Sequence, residues 1–449
     1  MRVTASLYAA LFVVGLVVYG VVAWNRVGRQ SPAPHFVHQA DAWLHGHLAI
    51  TPPLKGDDWA KVETVVLDDG QLVQGRRLRS RPNFRMLDGR EIAVARITGT
   101  RGTTAYVSFP PFPAVVMLPS ALLFGRDAND VIPTLLVAAL ILPLTLLLLR
   151  RLEEAKLSTR TVAEDLWLVA LLAFGSVLFF SSVQGKVWFT AHVIGVALAL
   201  VYGWASIEAR RPVLAGLALG AAALTRTPMA FLFPLFLFEA WRMADRTALR
   251  RSLTRPLVRF ALPVMAFAIA GMAYNHVRFG SFTEFGHSYL EVRQQAQIEV
   301  YGLASYHYLA RNLAVALTLL PETLPRAPWL QISGHGLALW FTTPLLLTLL
   351  RPHHKTALHV PLYVTLACVA LPSLVYQNSG WVQFGYRFSL DYMVVLVMLL
   401  AISGRPLTRL AKAAIVFGIV VNLFGAITFD RHWQFYRVSG SAYDVVVPH

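Results

Sequence analysis

The stretch VIPTLLVAALILPLTLLLLRR, residues 131–151, decides the class of fold. Its first part, 131–149, carries no charge and is mostly apolar, and two arginines follow it directly. A helix rises about 1.5 Å per residue, so about 20 such residues cross the hydrocarbon core of a membrane. The stretch therefore predicts a transmembrane helix that ends in basic residues at the membrane surface.

Ten further apolar runs occupy most of the chain, and two of them, on either side of Arg226, are short for a full crossing. The ten runs are 5–24, 166–183, 187–207, 212–224, 229–240, 257–274, 336–350, 359–376, 388–403 and 410–429. Together with 131–149 they predict an all-α polytopic membrane protein, a single domain over 1–449 with about 11 transmembrane helices.

The composition excludes a soluble enzyme, a disordered chain and a fibrous one. Of the 449 residues, 56% are hydrophobic and only 14% are charged, and the mean hydropathy is +0.54. A soluble domain carries roughly a quarter charged residues. The one cysteine, Cys368, excludes an intrachain disulfide and a cysteine metal cluster.

The net charge of +16 is interpreted as a topology signal rather than as affinity for nucleic acid. In the part of the chain after residue 149, the basic residues collect in every second loop between consecutive apolar runs. They are Arg150, Arg151, Lys156, Arg160, Arg210, Arg211, Arg242, Arg246, Arg250, Arg251, Arg255, Arg351, Lys355, Arg405, Arg409 and Lys412. If all of them face the cytoplasm, the N-terminus is cytoplasmic and the C-terminus is extracytoplasmic. We expect a multi-pass protein of the cytoplasmic (inner) membrane.

Two long loops then fall on the extracytoplasmic side, at 25–108 and 275–335. Long loops on a rigid scaffold are where function concentrates. Within the first, the segment 62–97 contains Asp69-Gly70 and Asp88-Gly89, turn dipeptides flanked by β-forming residues, and this predicts a small β insert of two hairpins.

Two apolar segments would reverse the topology if they crossed the membrane. The segment 109–124, FPPFPAVVMLPSALLF, has four prolines and is short, and 305–320 has the spacing of an amphipathic helix. We expect both to lie at the outer surface.

Acidic residues of the first outer loop are the candidate general bases. Asp41 is the first acid of the chain and lies in a helix-like stretch, and Asp58 precedes Trp59. A carboxylate at either position has the chemistry to deprotonate an acceptor hydroxyl. Asp41 is the predicted catalytic base, and Asp58 is the alternative.

Three arginines lie at outer span ends or within the bilayer: Arg226, Arg278 and Arg387. A charge at such depth costs several kcal/mol or more unless it is paired or functional. The arginine fork binds two phosphate oxygens at once. The three are therefore predicted to bind a phosphate, with snorkelling to the headgroups as the alternative.

Four segments together resemble the GT-C glycosyltransferases, in particular the branch of protein O-mannosyltransferases and the lipid A aminoarabinose transferase. They are PPFPAVVMLPSALLFG (110–125), LTRTP (224–228), NHVRFGSFTEFGHSY (275–289) and FGYRFSLDY (384–392). Two positions depart from the pattern. Arg226 and Thr227 stand where the family has Lys-Gly, and 31–35 lacks its Asp-Glu pair, for which Asp41 is the nearest substitute.

The resemblance implies transfer of a sugar from a polyprenyl-phosphate carrier to a hydroxyl of a lipid, glycan or protein acceptor outside the cytoplasm, with inversion at the sugar. A divalent metal stays open as a cofactor, since no strong carboxylate cluster is visible. The acceptor or sugar site is assigned to His35, Glu284, His287, Tyr289 and Tyr386. Two other classes stay open: a lipid-linked sugar flippase or other transporter, and a non-catalytic membrane assembly factor.

Overall fold

The computed structural model describes residues 4–53, 56, 58–292, 294–353 and 355–438, and these residues are mostly helical. Sixteen α-helices form within them. They are α1 Ala5–Ala23, α2 His35–Leu44, α3 Phe112–Phe124, α4 Val131–Glu154, α5 Val162–Ala173, α6 Leu178–Ser182, α7 Val187–Ser206, α8 Pro212–Ala223, α9 Pro234–Arg242, α10 Leu249–Phe279, α11 Gln295–Tyr301, α12 Leu309–Leu317, α13 Leu339–Thr342, α14 His359–Leu374, α15 Met393–Ile402 and α16 Arg409–Thr428.

Five helices of the described residues are long and apolar enough to cross a membrane. They are Ala5–Arg26, Val131–Glu154, Val187–Ala209, Leu249–Phe279 and Arg409–Thr428. The other six predicted runs form shorter or interrupted helices. For example, the run 166–183 is divided between α5 and α6, and 388–403 begins as a 3-10 helix before α15. The structure is that of a polytopic membrane protein, and the count of eleven spans stays a prediction.

The packing separates a buried centre from a lipid-facing shell. Every residue of α15 is buried. By contrast, large aliphatic side chains of α1, α10 and α16 are exposed, among them Val17 (57%), Ile269 (62%) and Val420 (60%). An apolar surface of this extent suits hydrocarbon rather than water. Small residues bring helices close: a Cβ at Gly216 of α8 would lie 2.2 Å from the Phe260 carbonyl oxygen of α10.

A five-stranded antiparallel sheet forms within the first long loop, in the order β4-β3-β2-β1-β5. Its strands are β1 Trp59–Leu67, β2 Leu72–Arg77, β3 Asn83–Met86, β4 Glu91–Ala93 and β5 Ile97–Val107. The two Asp-Gly dipeptides lie at the β1–β2 and β3–β4 turns, where Gly70 and Gly89 have φ of 82° and 86°. The hairpins predicted in 62–97 correspond to these two turns, and β5 adds a strand beyond 97.

The segment 109–124 forms α3, whose 13 residues reach only about 20 Å at 1.5 Å per residue, too short to cross. It packs on α2 and exposes Leu122, Leu123 and Phe124 by 71%, 73% and 66%.

In the second long loop, 305–320 contains α12, whose buried Asn312 donates to the Tyr376 carbonyl at 2.7 Å. Three short strands close this region: β6 Glu322–Thr323, β7 Leu330–Ser333 and β8 Tyr436–Arg437.

The basic loops meet at one end of the helices. Arg150 pairs with Asp165 at 2.7 Å, Arg160 donates to the Leu400 carbonyl at 2.8 Å, and Arg405 donates to the Arg351 carbonyl. The predicted cytoplasmic face is thus a single structural end. Which side of the membrane it faces stays a prediction.

Candidate functional site

A cavity of about 260 Å³ lies where the two long loops, 25–108 and 275–335, meet the helix ends. Four predicted site residues line it together: Asp58, Arg226, His287 and Arg387. The rest of its wall is largely aromatic or apolar and includes Phe109, Pro110, Trp188, Pro228, Tyr376 and Phe388. A few polar groups in an apolar pocket are the usual composition of a small-molecule or lipid site.

Arg226 reaches the cavity because the helical run breaks there. α8 ends at Ala223, Arg226 is extended (φ −143°, ψ 110°), and a 3-10 helix with Pro228 near its start follows. Since proline cannot donate a backbone hydrogen bond, it favours a new helical start over continuation. Gly195 of α7 leaves room for this break, because a Cβ there would lie 2.7 Å from the Met229 sulfur and 3.6 Å from Arg226 Cγ.

The guanidinium of Arg226 is held by a buried carboxylate. Its Nε and Nη2 donate to the two Asp391 oxygens at 3.0 and 2.8 Å, and Asp391 is 1% exposed. Nδ1 of the buried His192 lies 3.3 Å from Asp391 Oδ1. A bidentate pair of this kind fixes the orientation of the fork and cancels most of its charge.

Arg387 carries the cation without a carboxylate partner. It is 5% exposed, and its Nη1 donates to the carbonyls of Gly380 and Val382 at 2.6 and 3.0 Å. Its Nε is buried without a hydrogen-bond partner in the described part of the chain. No carboxylate of the described residues lies within ion-pair distance of it, so the site holds a positive charge that an anion would stabilise.

Asp58 and His287 line the same cavity from the outer loops. Asp58 precedes β1, and its backbone carbonyl accepts a bond of 3.0 Å from the Ser108 hydroxyl. Its charge acts on Arg387 across the cavity. Burial lowers the pKa of His287 to about 4, with the nearby Arg226 adding to the effect, so His287 is neutral at pH 7.

These groups can bind an anion at one wall and accept a proton at another. Two guanidinium groups suit a phosphate, and the apolar wall suits a hydrocarbon chain or a sugar face. Among the described residues, no three His, Cys, Asp or Glu side chains meet in a way that could hold a metal ion.

Comparisons with known proteins find likeness at the level of structure alone. No protein-family model matches the chain, and no curated protein matches it. Three solved structures are similar.

Two of them are of the Archaeoglobus fulgidus oligosaccharyltransferase, both at 12% identity. Its apo form has a TM-score of 0.48 and covers 97% of this chain and 57% of its own. The form tethered with an acceptor peptide containing the NVT sequon has a TM-score of 0.46 and covers 98% and 56%. The third is ArnT from Cupriavidus metallidurans bound to undecaprenyl phosphate, at 14% identity and a TM-score of 0.44, covering 93% of this chain and 64% of its own.

The chain spans less than two thirds of the length of each of these neighbours. At such identities, and with TM-scores below 0.5, the likeness carries no argument about what this chain does.

Two predicted residues lie apart from the cavity. Asp41 lines a separate cleft of about 570 Å³ with His38 and Arg126, and its carboxylate faces His45 at 3.6 Å. Arg278 uses its donors on the Val107 carbonyl, the Tyr274 carbonyl and the Asn275 side chain at 2.8, 3.3 and 3.0 Å. Those bonds attach the end of α10 to the end of β5, an arrangement that favours a structural role for Arg278.

His35 and Tyr386 lie behind the cavity wall. His35 stacks on Trp59 with ring centroids 4.2 Å apart, and burial lowers its pKa to about 4. Tyr386 is fully buried, and its hydroxyl has no hydrogen-bond partner among the described residues.

Glu284 and Tyr289 lie on the segment that leads into and out of His287. Glu284 caps the backbone N–H of Gly286 at 2.7 Å. Tyr289 stacks on Phe279 at 5.2 Å, and burial raises its pKa to about 12. Neither residue lines the cavity.

Two residues of the site were missed from the sequence: Asp391 and His192. Both are ionisable groups inside or at the edge of apolar runs, which is itself a signal of pairing or function. Asp391 lies within the quoted segment 384–392, but nothing in the sequence identifies it as the partner of Arg226, 165 positions away.

Proposed function

We propose that this chain is a membrane glycosyltransferase that takes a sugar from a polyprenyl-phosphate donor and places it on an acceptor hydroxyl. The observation that carries the proposal is the buried, carboxylate-free guanidinium of Arg387 beside Arg226 in a cavity with largely apolar walls. A polyprenyl phosphate presents the matching chemistry, an anionic head on an apolar chain.

In this mechanism the phosphate of the donor contacts Arg387 and the remaining N–H groups of Arg226. The acceptor oxygen attacks the anomeric carbon, and its proton passes to the base. The bond between that carbon and the phosphate oxygen breaks, and its electron pair stays on the phosphate. The arginines stabilise that growing charge, and because their positions are set by Gly380, Val382 and Asp391, little reorganisation is needed. Attack opposite the leaving group inverts the anomeric centre.

The geometry favours Asp58 over Asp41 as the general base. Asp58 lines the cavity that contains both arginines, whereas Asp41 opens into a different cleft. A base must reach the hydroxyl directly or through one water. The neutral His287 would accept or donate a hydrogen bond to the sugar or acceptor. The site opens on the extracytoplasmic side if the predicted orientation holds.

The test uses the full chain in liposomes with a radiolabelled polyprenyl-phosphate sugar, and measures release or transfer of the sugar. Asp58→Asn should reduce turnover by about 10²-fold or more, as expected for loss of a general base, while retaining donor binding. Asp41→Asn is the matched control and should stay within a few-fold of wild type. If Asp41→Asn abolished turnover and Asp58→Asn did not, the assignment of the base would be wrong. Donor crossing sealed vesicles with the sugar still attached would favour a flippase.

A further inference from the structure

A second cleft, of about 240 Å³, lies where α1 and α16 end and α4 and α7 begin. Its lining shares no residue with the cavity that Arg226 and Arg387 line, which is called the arginine cavity from here on. Four cations and one carboxylate line it: Arg26, Arg29, Lys186, Arg431 and Asp430. The positive charge in this small volume exceeds the negative charge.

The single carboxylate neutralises only one of the four cations. Lys186 Nζ lies 2.8 Å from Asp430 Oδ2. Arg26 instead donates to the backbone carbonyls of Val183 and Phe429 at 3.2 and 2.7 Å. Carbonyl oxygens position a guanidinium but do not cancel its charge.

Arg431 is held in the same way, by the carbonyls of Val22 and Ala23 at 3.0 and 2.5 Å. Its pKa is lowered by burial and by the neighbouring Arg29. Asp130 lies behind the wall, where it accepts bonds of 2.8 and 2.5 Å from the backbone and hydroxyl of Ser31. Burial raises the pKa of Asp130 to about 6, so it stays largely ionised at pH 7, and the four cations still outnumber the two carboxylates.

Gln184 is the independent sign of a missing ligand. It belongs to the wall of this cleft, is 2% exposed, and neither its Nε2 nor its Oε1 has a hydrogen-bond partner within the described residues. A buried amide without hydrogen-bond partners destabilises the folded state. A bound group with both acceptor oxygens and a hydroxyl would satisfy both ends of this amide.

The surroundings favour a lipid as the source of that group. Trp24 and Trp433, at the ends of α1 and α16, are 76% and 46% exposed, as aromatic residues at a membrane interface are. The predicted orientation also places this end outside, where the positive-inside tendency leaves few basic residues. Four cations gathered here therefore indicate a specific requirement rather than a topology signal.

We propose that this cleft binds the phosphate of an anionic lipid headgroup, with Arg26, Arg29 and Arg431 supplying charge and Gln184 hydrogen-bonding the headgroup. The site is separate from the arginine cavity and does not depend on the proposed transferase activity. Inorganic phosphate shares the recognised chemistry, so the test must separate the two sources.

The experiment titrates the detergent-solubilised full chain with phosphatidylglycerol, with phosphatidylcholine and with inorganic phosphate, and follows the thermal unfolding midpoint. Phosphatidylglycerol should raise the midpoint saturably, because a ligand that binds the folded state stabilises it. Phosphatidylcholine should not. If inorganic phosphate alone reproduces the effect, the source is free phosphate; if it has none, the source is the lipid.

The variants Arg29→Gln and Arg431→Gln should weaken the apparent affinity for phosphatidylglycerol by about tenfold or more, the effect expected for loss of a charge-assisted hydrogen bond. Arg326→Gln, which removes an exposed arginine of the second outer loop, is the matched control. Arg387→Gln should also keep the effect, since it alters the other cavity.

Gln184→Leu separates a binding defect from a folding defect. It removes the unsatisfied amide at similar volume, so in phosphatidylcholine its midpoint should equal or exceed that of wild type. The increment due to phosphatidylglycerol should be lost. Wild-type phosphatidylglycerol affinity in Arg29→Gln, Arg431→Gln and Gln184→Leu alike would overturn the proposal and place the lipid effect elsewhere.

Discussion

Asp391 accepts both hydrogen bonds of the Arg226 fork, at 3.0 and 2.8 Å, although the two residues are 165 positions apart. The pair joins the break after α8 to the 3-10 turn that begins α15. Because the carboxylate offsets the charge of Arg226, the two arginines of the cavity have different roles. Arg226 is positioned by its partner, whereas Arg387 has no carboxylate at ion-pair distance among the described residues and remains available to an anion.

The first prediction concerns this pair. Arg226→Gln or Asp391→Asn alone leaves a buried charge without its partner, which costs about 3–5 kcal/mol. The double variant Arg226→Gln/Asp391→Asn removes both charges and should recover most of the lost stability. Thermal unfolding of the four proteins in detergent measures the coupling between the sites. Simple addition of the two single losses would show that the pair does not stabilise the fold.

The second prediction concerns Arg387. Arg387→Gln should reduce affinity for undecaprenyl phosphate by about 10- to 100-fold, because a hydrogen bond to a charged group contributes about 1.5–3 kcal/mol. Arg387→Lys should recover part of the loss, since it keeps the charge but not the fork. Binding is measured by native mass spectrometry of the full chain.

Arg278→Gln is the contrasting variant for this experiment. Its donors are used by Val107, Tyr274 and Asn275, so the change should lower the unfolding midpoint while leaving lipid affinity near wild type. Equal loss of affinity in Arg278→Gln and Arg387→Gln would return Arg278 to the phosphate site.

The positions of the five long apolar helices could be predicted because apolar runs of membrane length are a local property of the sequence. The β turns at 69–70 and 88–89 could be predicted for a similar reason, since Asp-Gly adopts the required backbone angles with little strain. Arg226 and Arg387 could be selected as candidates because a charge inside an apolar run is rare.

The partners of those charges could not be found by the same route. Asp391 is distant from Arg226 in sequence, and only the packing of α8 near the start of α15 brings them together. The sequence also did not show which cavity the side chain of Asp41 faces. His35 and Asp41 share α2, but six residues at 100° each place them about 120° apart around the helix. His35 therefore packs on Trp59 behind the cavity while Asp41 faces another cleft.

The third prediction concerns acid stability and rests on His35. Its folded pKa is about 4 and the ordinary value is 6.5, so the unfolded chain binds the proton first as the pH falls. Stability is therefore retained above pH 6.5 and lost towards pH 4. His35→Phe keeps an aromatic ring against Trp59 and removes the proton site. Between pH 7 and pH 5, the free energy of unfolding of His35→Phe should fall by about 2 kcal/mol less than that of wild type.

Chemical unfolding at several pH values measures this difference. His432→Phe, which removes an exposed histidine, is the control, and its curve should run parallel to that of wild type. Since His38 and His287 also have pKa values lowered to about 4 by burial, the acid sensitivity of the chain should be reduced and not abolished in His35→Phe. An unchanged slope in His35→Phe would contradict the prediction.

The last prediction concerns the contact between the sheet and the segment that carries His287. Glu299 of α11 pairs with Arg76 of β2 at 2.8 Å, and their side chains are 2% and 7% exposed. Glu299 also accepts from the backbone N–H of Ser80 at 2.7 Å. The more exposed pair Lys61–Glu291 joins β1 of the same sheet to the chain just before α11. A buried pair that loses one member costs about 3–5 kcal/mol, whereas an exposed pair is worth about 0–1 kcal/mol.

Glu299→Gln should therefore lower the unfolding midpoint clearly and speed proteolysis between 287 and 301, while Lys61→Gln should do neither. Because this segment forms one wall of the arginine cavity, Glu299→Gln should also weaken binding of undecaprenyl phosphate although it touches no ligand. Equal behaviour of the two variants would mean that the sheet does not hold the cavity wall in place.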